Sequence, residues 1–113
     1  MSRSDTERVA DIRAACSRLA EIVKLGREEF DRNWLAVSAA SYELAVIGEA
    51  MAHLSDEFLK THSSVPTRKA KSLRNLLMHE YFRAEPEILW DTIVSDIPDL
   101  VRILDSVSPP AEC

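Results

Sequence analysis

Apolar residues recur every three or four positions in the first part of the chain, the spacing of an amphipathic helix. The first stripe consists of Val9, Ile12, Cys16, Leu19 and Val23. Just before it, Ser4 and Glu7 have the spacing of a capping box, in which each residue bonds the other's backbone N–H. Gly26 follows the stripe and is a suitable stop. The pattern therefore predicts a first helix that is capped at Ser4 and ends before Gly26.

A second and longer stripe predicts a central helix from about Arg32 to about Leu59. Its larger apolar members are Val37, Leu44, Ile47, Met51, Leu54 and Phe58. Alanines on either side widen this stripe, so the helix is expected to have neighbours on more than one side. Gly48 lies in its middle, where glycine costs about 1 kcal/mol relative to alanine. We expect close approach of a neighbouring backbone to compensate.

Two further stripes complete the fold prediction. After Pro66, which suits the first turn of a helix, the third stripe comprises Ala70, Leu73, Leu77 and Tyr81. The fourth comprises Trp90, Ile93, Ile97, Leu100 and Leu104. Pro98 lies inside that last stripe and is expected to remove one hydrogen bond and bend the helix. The sequence predicts an all-α, four- to five-helix up-and-down bundle, with residues 1–113 as one domain and 106–113 as a flexible tail.

Length and composition indicate whether such a bundle needs disulfides or a metal, and where in the cell it is expected. A chain of 113 residues can bury one core without disulfides or a structural metal. No apolar run approaches the roughly 18 residues of a membrane span, and the first five residues lack the apolar stretch of a secretory signal. We therefore predict a cytoplasmic protein. Cys16 is interpreted as a small buried hydrophobe, and Cys113 is the last residue.

Charge is unevenly distributed along the chain. The net charge of -5 argues mildly against general nucleic-acid binding. Between positions 68 and 83, however, cations outnumber acids. The cations are Arg68, Lys69, Lys71, Arg74 and Arg83, against the single acid Glu80. A solvated helix face is the usual explanation of such a cluster. This cluster, however, surrounds the run of residues whose side chains are best suited to bind phosphate and transfer protons.

That run extends from Arg74 to Tyr81 and also contains His79. On a helical wheel Arg74 falls inside the apolar sector, about 20° from Tyr81, whereas His79 falls about 140° away. An arginine there must snorkel, pair with an acid, or face a pocket or another subunit. One continuous helix cannot aim Arg74 and His79 at one small anion. Either the helix breaks near His79, or two copies of the chain meet across a two-fold axis.

Two copies would supply two histidines that titrate near neutrality, one as general base and one as general acid. A guanidinium beside them could stabilise charge on a phosphoryl oxygen. This set suffices for metal-free RNA cleavage by the ribose 2′-hydroxyl, so no metal or cofactor is expected. Glu49, His53 and Glu57 have a metal-like spacing, but exposed charge pairing is favoured. Trp34 and Trp90 are interpreted as core or interface residues.

The run Arg-Asn-x-x-x-His-x-Tyr resembles the signature of HEPN-domain ribonuclease toxins, specifically the HepT-like group. Three further segments resemble that group in the same order. They are Ile47-Gly48-Glu49-Ala50, Tyr81-Phe82, and Ile88-x-Trp90 with Asp96-Ile97-Pro98-x-Leu100. The chain departs from the group's common pattern at Ser72-Leu73, where Gly-Met is frequent, at Arg83, where glycine is frequent, and in lacking a Trp before the arginine.

The resemblance implies an all-helical homodimer with a composite site at the subunit interface. Arg74 and His79 would be the catalytic pair and Asn75 the supporting polar residue. The group's members act as toxins beside an MntA-like nucleotidyltransferase antitoxin, which AMPylates the tyrosine two residues after the histidine, here Tyr81. A phosphodiester on Tyr81 would bring negative charge to the position that substrate phosphate must occupy. Tyr81 can also be an ordinary core or interface tyrosine.

Three hypotheses follow, in order of preference. The first is a metal-independent RNA endonuclease toxin that is neutralised by AMPylation of Tyr81. The second is a non-catalytic helical partner of a nucleotidyltransferase, which binds nucleotide or protein and is merely modified; the acidic net charge slightly favours it. The third is a plain helical interaction module in which Arg74 forms an interface ion pair.

Overall fold

The computed structural model describes residues 3–66 and 85–106, and all regular structure in those two ranges is helical. The helices are α1 (Asp5–Val23), α2 (Arg27–Arg32), α3 (Trp34–Ala52), α4 (Asp56–Thr61), α5 (Pro86–Asp91) and α6 (Ile97–Asp105), with a π-helical turn at Thr92–Asp96 between the last two. The predicted all-α fold is confirmed for this part of the chain. The predicted third helix and the tail beyond Ser106 lie outside the described residues.

Helix α1 begins as predicted. The backbone N–H of Glu7 donates to Ser4 Oγ over 3.1 Å, and the N–H of Ser4 donates to Glu7 Oε1 over 2.8 Å. The backbone hydrogen bond from Ser4 lowers the pKa of Glu7. The middle of the predicted stripe is buried, with Ile12, Cys16 and Leu19 against the core. The capping box and the first stripe are therefore confirmed.

Gly26 ends this first unit in a conformation that few other residues adopt. Its φ is +87° and its ψ 157°, a region that is essentially confined to glycine. A Cβ at this position would meet nothing within 4 Å, so the backbone angles, and not lack of space, require glycine. Gly26 leads into α2, which the hydrophobic pattern did not predict. The buried Phe30 of α2 packs against the Trp90 ring with centroids 5.3 Å apart.

The prediction of one continuous helix from about Arg32 to about Leu59 was wrong. Helix α3 ends at Ala52, and α4 begins at Asp56. Ser55 makes the break, because its Oγ accepts a hydrogen bond from Phe58 N over 3.0 Å and so caps α4. Asp5 holds Ser55 in place by accepting from its N–H over 2.9 Å and from its hydroxyl over 2.6 Å. The interruption thus depends on a contact between distant parts of the chain.

Helices α1 and α3 form the core pair and run antiparallel. The direction follows from two contacts: Asp5 at the start of α1 meets Ser55 just after α3, and Arg18 near the end of α1 meets Glu43 in mid-α3. By length and composition alone, α3 is apolar enough to cross a membrane, contrary to the expectation that no such run exists. Its inner face is nevertheless buried against the rest of the fold, as in the core helix of a compact protein.

The C-terminal helices close the core from a third side. Ile97 N–H bonds to the carbonyl of Thr92, five residues back, directly before Pro98. The predicted disturbance at Pro98 therefore takes the form of a π-helical turn. Ile93, Leu100 and Leu104 are buried as predicted. Arg13 of α1 donates hydrogen bonds to Asp105 Oδ1 and to the Leu104 carbonyl at the end of α6. The end of α6 therefore lies against the middle of α1.

Candidate functional site

The residues predicted to perform chemistry lie in the segment 67–84, outside the described residues. Arg74, Asn75, His79 and Tyr81 therefore remain predictions from the sequence. The described chain leads into this segment at Pro66 and resumes at Glu85. The structure shows how the chain is anchored on either side of this segment. It also shows which polar side chains lie on α1 and α3.

The chain before the segment is tied to the start of α1. Helix α4 is held through the Ser55–Asp5 bonds, and its last turn brings the His62 ring within 4.5 Å of the Phe58 ring. Val65 is buried in the hydrophobic core, and its N–H donates to the carbonyl of His62 over 3.1 Å. The last residues before the candidate segment are therefore anchored by both apolar burial and hydrogen bonds.

The chain after the segment is also anchored to the core. Pro86 occupies the first turn of α5, where its fixed φ and missing N–H suit a helix start. One turn later Leu89 is completely buried, and α5 packs against α2 and α3. Both ends of the segment that carries the run Arg74–Tyr81 are thus fixed to the same hydrophobic core.

Glu43 is the buried charged side chain in the part of the chain that the structure describes, and it is only 7% exposed. Its Oε2 accepts from Arg18 Nε over 2.7 Å, and this contact raises the pKa of Arg18. Its Oε1 has no hydrogen-bond partner among the described residues. A buried carboxylate oxygen in that state can accept a hydrogen bond from an N–H or O–H donor.

Sequence reasoning missed Glu43, although a signal for it exists. Ala36, Ala40, Glu43, Ile47 and Ala50 follow one another at spacings of 4, 3, 4 and 3, so Glu43 occupies a position on the apolar stripe of α3. A carboxylate at such a position is expected to be buried and paired, as it is with Arg18.

A shallow groove of about 360 Å³ lies between the first half of α1 and the outer side of α3. Arg3, Arg8 and Asp11 line it from α1, whereas Tyr42, Ala45, Val46, Glu49 and Ala50 line it from α3. Arg3 donates two hydrogen bonds, each of 2.8 Å, to the carboxylate of Asp11. Charged side chains of α1 therefore line one side of the groove, and mainly uncharged side chains of α3 line the other.

Two of the more ordinary interpretations are supported. His53 Nδ1 lies 3.3 Å from Glu49 Oε2 on an exposed surface, whereas Glu57 belongs to the separate helix α4. His53 Nδ1 also lies 2.9 Å from the backbone carbonyl of Glu49, so pairing within α3 is the better interpretation of these two residues. Cys16 is buried, and desolvation raises its thiol pKa to about 11, which is typical of an inert core cysteine.

Comparison with known proteins identifies the family. The sequence model of the ribonuclease HepT-like family matches residues 12–107, most of the chain. The chain belongs to the HepT-like ribonuclease family. It is 38% identical to a "putative RNase" of Caldanaerobacter subterraneus subsp. tengcongensis over 77% of this chain and 79% of that protein. It is 31% identical to the "probable ribonuclease HepT" of Thermococcus cleftensis over 88% of this chain and 92% of the relative.

A third relative of this HepT-like chain covers almost all of it. A "putative RNase" of Methanocaldococcus jannaschii is 28% identical over 95% of the chain and 100% of that protein. No solved structure matches the chain significantly. The resemblance inferred from the run Arg74–Tyr81 and its companion segments is confirmed at the level of the family, as is its ribonuclease class. The roles of individual residues, the homodimer and the antitoxin remain predictions.

Proposed function

We propose that this HepT-like chain is a metal-independent endoribonuclease that acts in the cytoplasm as the toxin of a toxin–antitoxin pair. The observation that carries the proposal is the family match over residues 12–107, a range that includes the run Arg74–Tyr81. Two features support it further: the positive local charge between positions 68 and 83, and relatives of similar length that are named as RNases.

The proposed chemistry needs only side chains of the run, contributed by two subunits. One His79 removes the proton of a ribose 2′-hydroxyl, and the 2′-oxygen attacks the adjacent phosphorus. The bond from phosphorus to the 5′-oxygen breaks, and the partner's His79 protonates that leaving oxygen. The products are a 2′,3′-cyclic phosphate and a 5′-hydroxyl. Arg74 stabilises the charge that develops on the phosphoryl oxygens, and Asn75 supports the same phosphate with its amide N–H groups.

Neutralisation by an MntA-like nucleotidyltransferase is the second part of the proposal. The Tyr81 hydroxyl loses its proton and attacks the α-phosphorus of ATP, the bond to the β-phosphate oxygen breaks, and pyrophosphate leaves. The resulting AMP-tyrosine carries a phosphodiester about 20° from Arg74 on the helical wheel. The negatively charged AMP phosphate would then pair with Arg74 in place of the RNA phosphate, and cleavage would stop.

Purified protein and a labelled RNA test the nuclease directly, with EDTA present throughout. We expect Arg74→Ala and His79→Ala each to reduce cleavage by about 10²-fold or more. His53→Ala is the matched control, since His53 is an exposed histidine outside the run, and it should cleave like the wild type. Wild-type cleavage should show a bell-shaped pH profile. Equal cleavage by all four proteins would overturn the nuclease assignment.

The chain's two tyrosines provide a matched test of the modification. With ATP and the nucleotidyltransferase, intact mass should increase by an adenylate group in the wild type and in Tyr42→Phe, but not in Tyr81→Phe. Modified wild type should lose RNA cleavage, whereas Tyr81→Phe should remain active in the presence of the antitoxin. Adenylation of Tyr81 on a protein that never cleaves RNA would instead establish the non-catalytic alternative, which the acidic net charge favours.

A further inference from the structure

Residues 55–66 connect the end of α3 to the segment 67–84, and we call them the approach. They contain α4, a helix of six residues whose side chains are all exposed or half-buried. Phe58 and Leu59 pack partly against the core, and Val65 is buried near the far end. Isolated helices shorter than about 12 residues are marginal in water. The position of the approach therefore depends on how its two ends are held.

The first end of the approach is held by one carboxylate of α1. The Ser55 hydroxyl donates to Asp5 Oδ2 over 2.6 Å, a length typical of a hydroxyl that donates to a charged acceptor. The Ser55 N–H donates to Asp5 Oδ1 over 2.9 Å, so the same carboxylate engages both polar hydrogens of the residue. Helix α1 is itself fixed by buried residues such as Ile12 and Leu19. Asp5 therefore connects the approach to the hydrophobic core.

The same bonds set the direction in which α4 begins. Because an ionised carboxylate only accepts, the Ser55 hydroxyl directs its proton to Asp5 and its lone pairs remain for the Phe58 N–H, which donates to Oγ over 3.0 Å. Successive hydrogen bonds of this kind strengthen one another. Without the Asp5 carboxylate the hydroxyl would rotate and the cap would weaken. The buried Leu54 fixes where the chain leaves α3, and Asp5 fixes how it continues.

Backbone hydrogen bonds carry that direction to the far end of the approach. The His62 N–H donates to the Phe58 carbonyl over 2.9 Å, and the Val65 N–H donates to the His62 carbonyl over 3.1 Å. Phe58, which donates to the cap, is thus linked to the buried Val65 by two successive bonds. Arg74 follows Val65 by nine residues. A change in the direction of α4 must therefore be absorbed at Val65 or passed into the chain beyond it.

We propose that Asp5 is a positioning residue of the nuclease: through Ser55 it fixes the approach, and with it the point from which the chain continues to Arg74 and His79. The inference rests on the proposed function, because it takes the segment 67–84 to carry the catalytic groups. A misplacement of about 1 Å can slow a catalysed reaction by about 10²-fold. Since the contact between Asp5 and Ser55 is exposed, its loss should affect turnover more than stability.

Steady-state cleavage of a labelled RNA tests the positioning role. Asp5→Ala and Ser55→Ala should each lower kcat by about ten-fold and change KM by less than about two-fold, because the groups that bind RNA remain while their geometry is lost. Ser55→Thr keeps the hydroxyl and should cleave like the wild type. The double variant Asp5→Ala with Ser55→Ala should be no slower than either single variant, since both substitutions remove the same contact.

Asn33→Ala is the matched control, at the opposite end of α3. Asn33 caps that helix by accepting from the N–H groups of Leu35 and Ala36 over 3.1 and 3.2 Å. Its loss should lower the midpoint of thermal unfolding about as much as Ser55→Ala does, because each removes one helix cap, but it should leave kcat unchanged. Equal losses of kcat in Asn33→Ala and Asp5→Ala would reduce the effect to general destabilisation and overturn the proposal.

Amide hydrogen exchange provides a readout that does not depend on RNA. In Asp5→Ala the amides of Phe58 and Val65 should exchange faster than in the wild type, whereas the amide of Leu44 in the middle of α3 should keep its protection. Unchanged protection of Phe58 and Val65 would overturn the proposal. The two proposals fail separately: a wild type with this protection pattern that never cleaves RNA refutes the nuclease, and a cleaving wild type matched in kcat by Asp5→Ala refutes only the positioning role.

Discussion

The inner and outer faces of α3 differ in environment much more than in composition. The inner face presents Ala40, Leu44, Ile47 and Met51, all buried against the rest of the fold. We call the remaining large apolar side chains of α3 its outer face: Trp34, Leu35 and Tyr42 are exposed, and Val46 is half-buried. Hydrophobic periodicity records the inner face alone, because it detects the stripe that one chain buries. Large apolar residues outside the stripe can therefore stay exposed on a helix whose other side forms the core.

The sharpest test of this contrast compares two leucines nine residues apart on the same helix. Leu44→Ala removes a completely buried side chain and should lower the free energy of unfolding by about 2–5 kcal/mol. Leu35→Ala truncates an exposed side chain and should leave the free energy of unfolding nearly unchanged. Denaturant unfolding at low protein concentration measures both effects. Similar losses of single-chain stability for both would erase the distinction between the faces.

Adjacent alanines extend the comparison to added volume. Ala40 is completely buried and Ala39 is exposed. Ala40→Leu should overpack the core and lower the free energy of unfolding by about 1–3 kcal/mol. Ala39→Leu adds the same volume on the exposed side and should have little effect on stability. Thermal unfolding checks both, and a harmless Ala40→Leu would show that the inner face is not tightly packed.

The Arg18–Glu43 pair tests whether the inner face depends on one ion pair. Arg18→Met would leave the buried Glu43 carboxylate without its cation and should lower the free energy of unfolding, though by less than the core substitutions because the arginine itself is largely exposed. Adding Glu43→Leu should restore much of that loss, because an apolar pair replaces the unpaired charge. A double-mutant cycle in urea measures the coupling. Additive effects of the two substitutions would mean that the 2.7 Å contact contributes nothing to stability.

The smallest expected effect lies away from both faces and calibrates the others. Ser4→Ala should lower the free energy of unfolding by about 1 kcal/mol through loss of the α1 cap. The folded-state pKa of Glu7 is lowered, so its contribution is present above the unfolded pKa of about 4.3 and disappears as pH falls through the folded value. Glu7→Gln removes this titrating carboxylate, so the stability difference between Glu7→Gln and wild type should shrink below about pH 4. A difference independent of pH would remove Glu7 from the capping box.

How much of this fold was predictable depends on the range of the interactions that set each element. The Ser4–Glu7 cap and the stripe through Ile12 and Leu19 are local, and the sequence predicted them. The break at Ser55 was missed because the apolar spacing continues across it and its cause, Asp5, lies 50 residues away. Helix α2 was missed because it is short and owes its burial to Phe30 packing on Trp90. Local patterns predict elements well, and tertiary contacts decide where they are cut.

For the candidate site, local spacing was less informative than for the helices. Spacing alone could not decide between a surface arginine and a catalytic one at Arg74, and the wheel placed His79 on another side. The resemblance of several segments in order identified the family, and the match over residues 12–107 confirms it. The sequence could not supply how two copies of the chain would be arranged, because an isologous contact depends on the shape of a surface that only the folded chain presents.

Subunit mixing tests the central claim, that two copies share one nuclease cleft, most directly. Wild type and His79→Ala are mixed in equal amounts, allowed to exchange subunits, and assayed for RNA cleavage against the same quantity of total chain. If each cleft needs His79 from both copies, only dimers with two wild-type chains cleave, and activity should fall to about one quarter of that of undiluted wild type. Activity near one half would mean that each chain cleaves RNA independently, and the shared cleft would be contradicted.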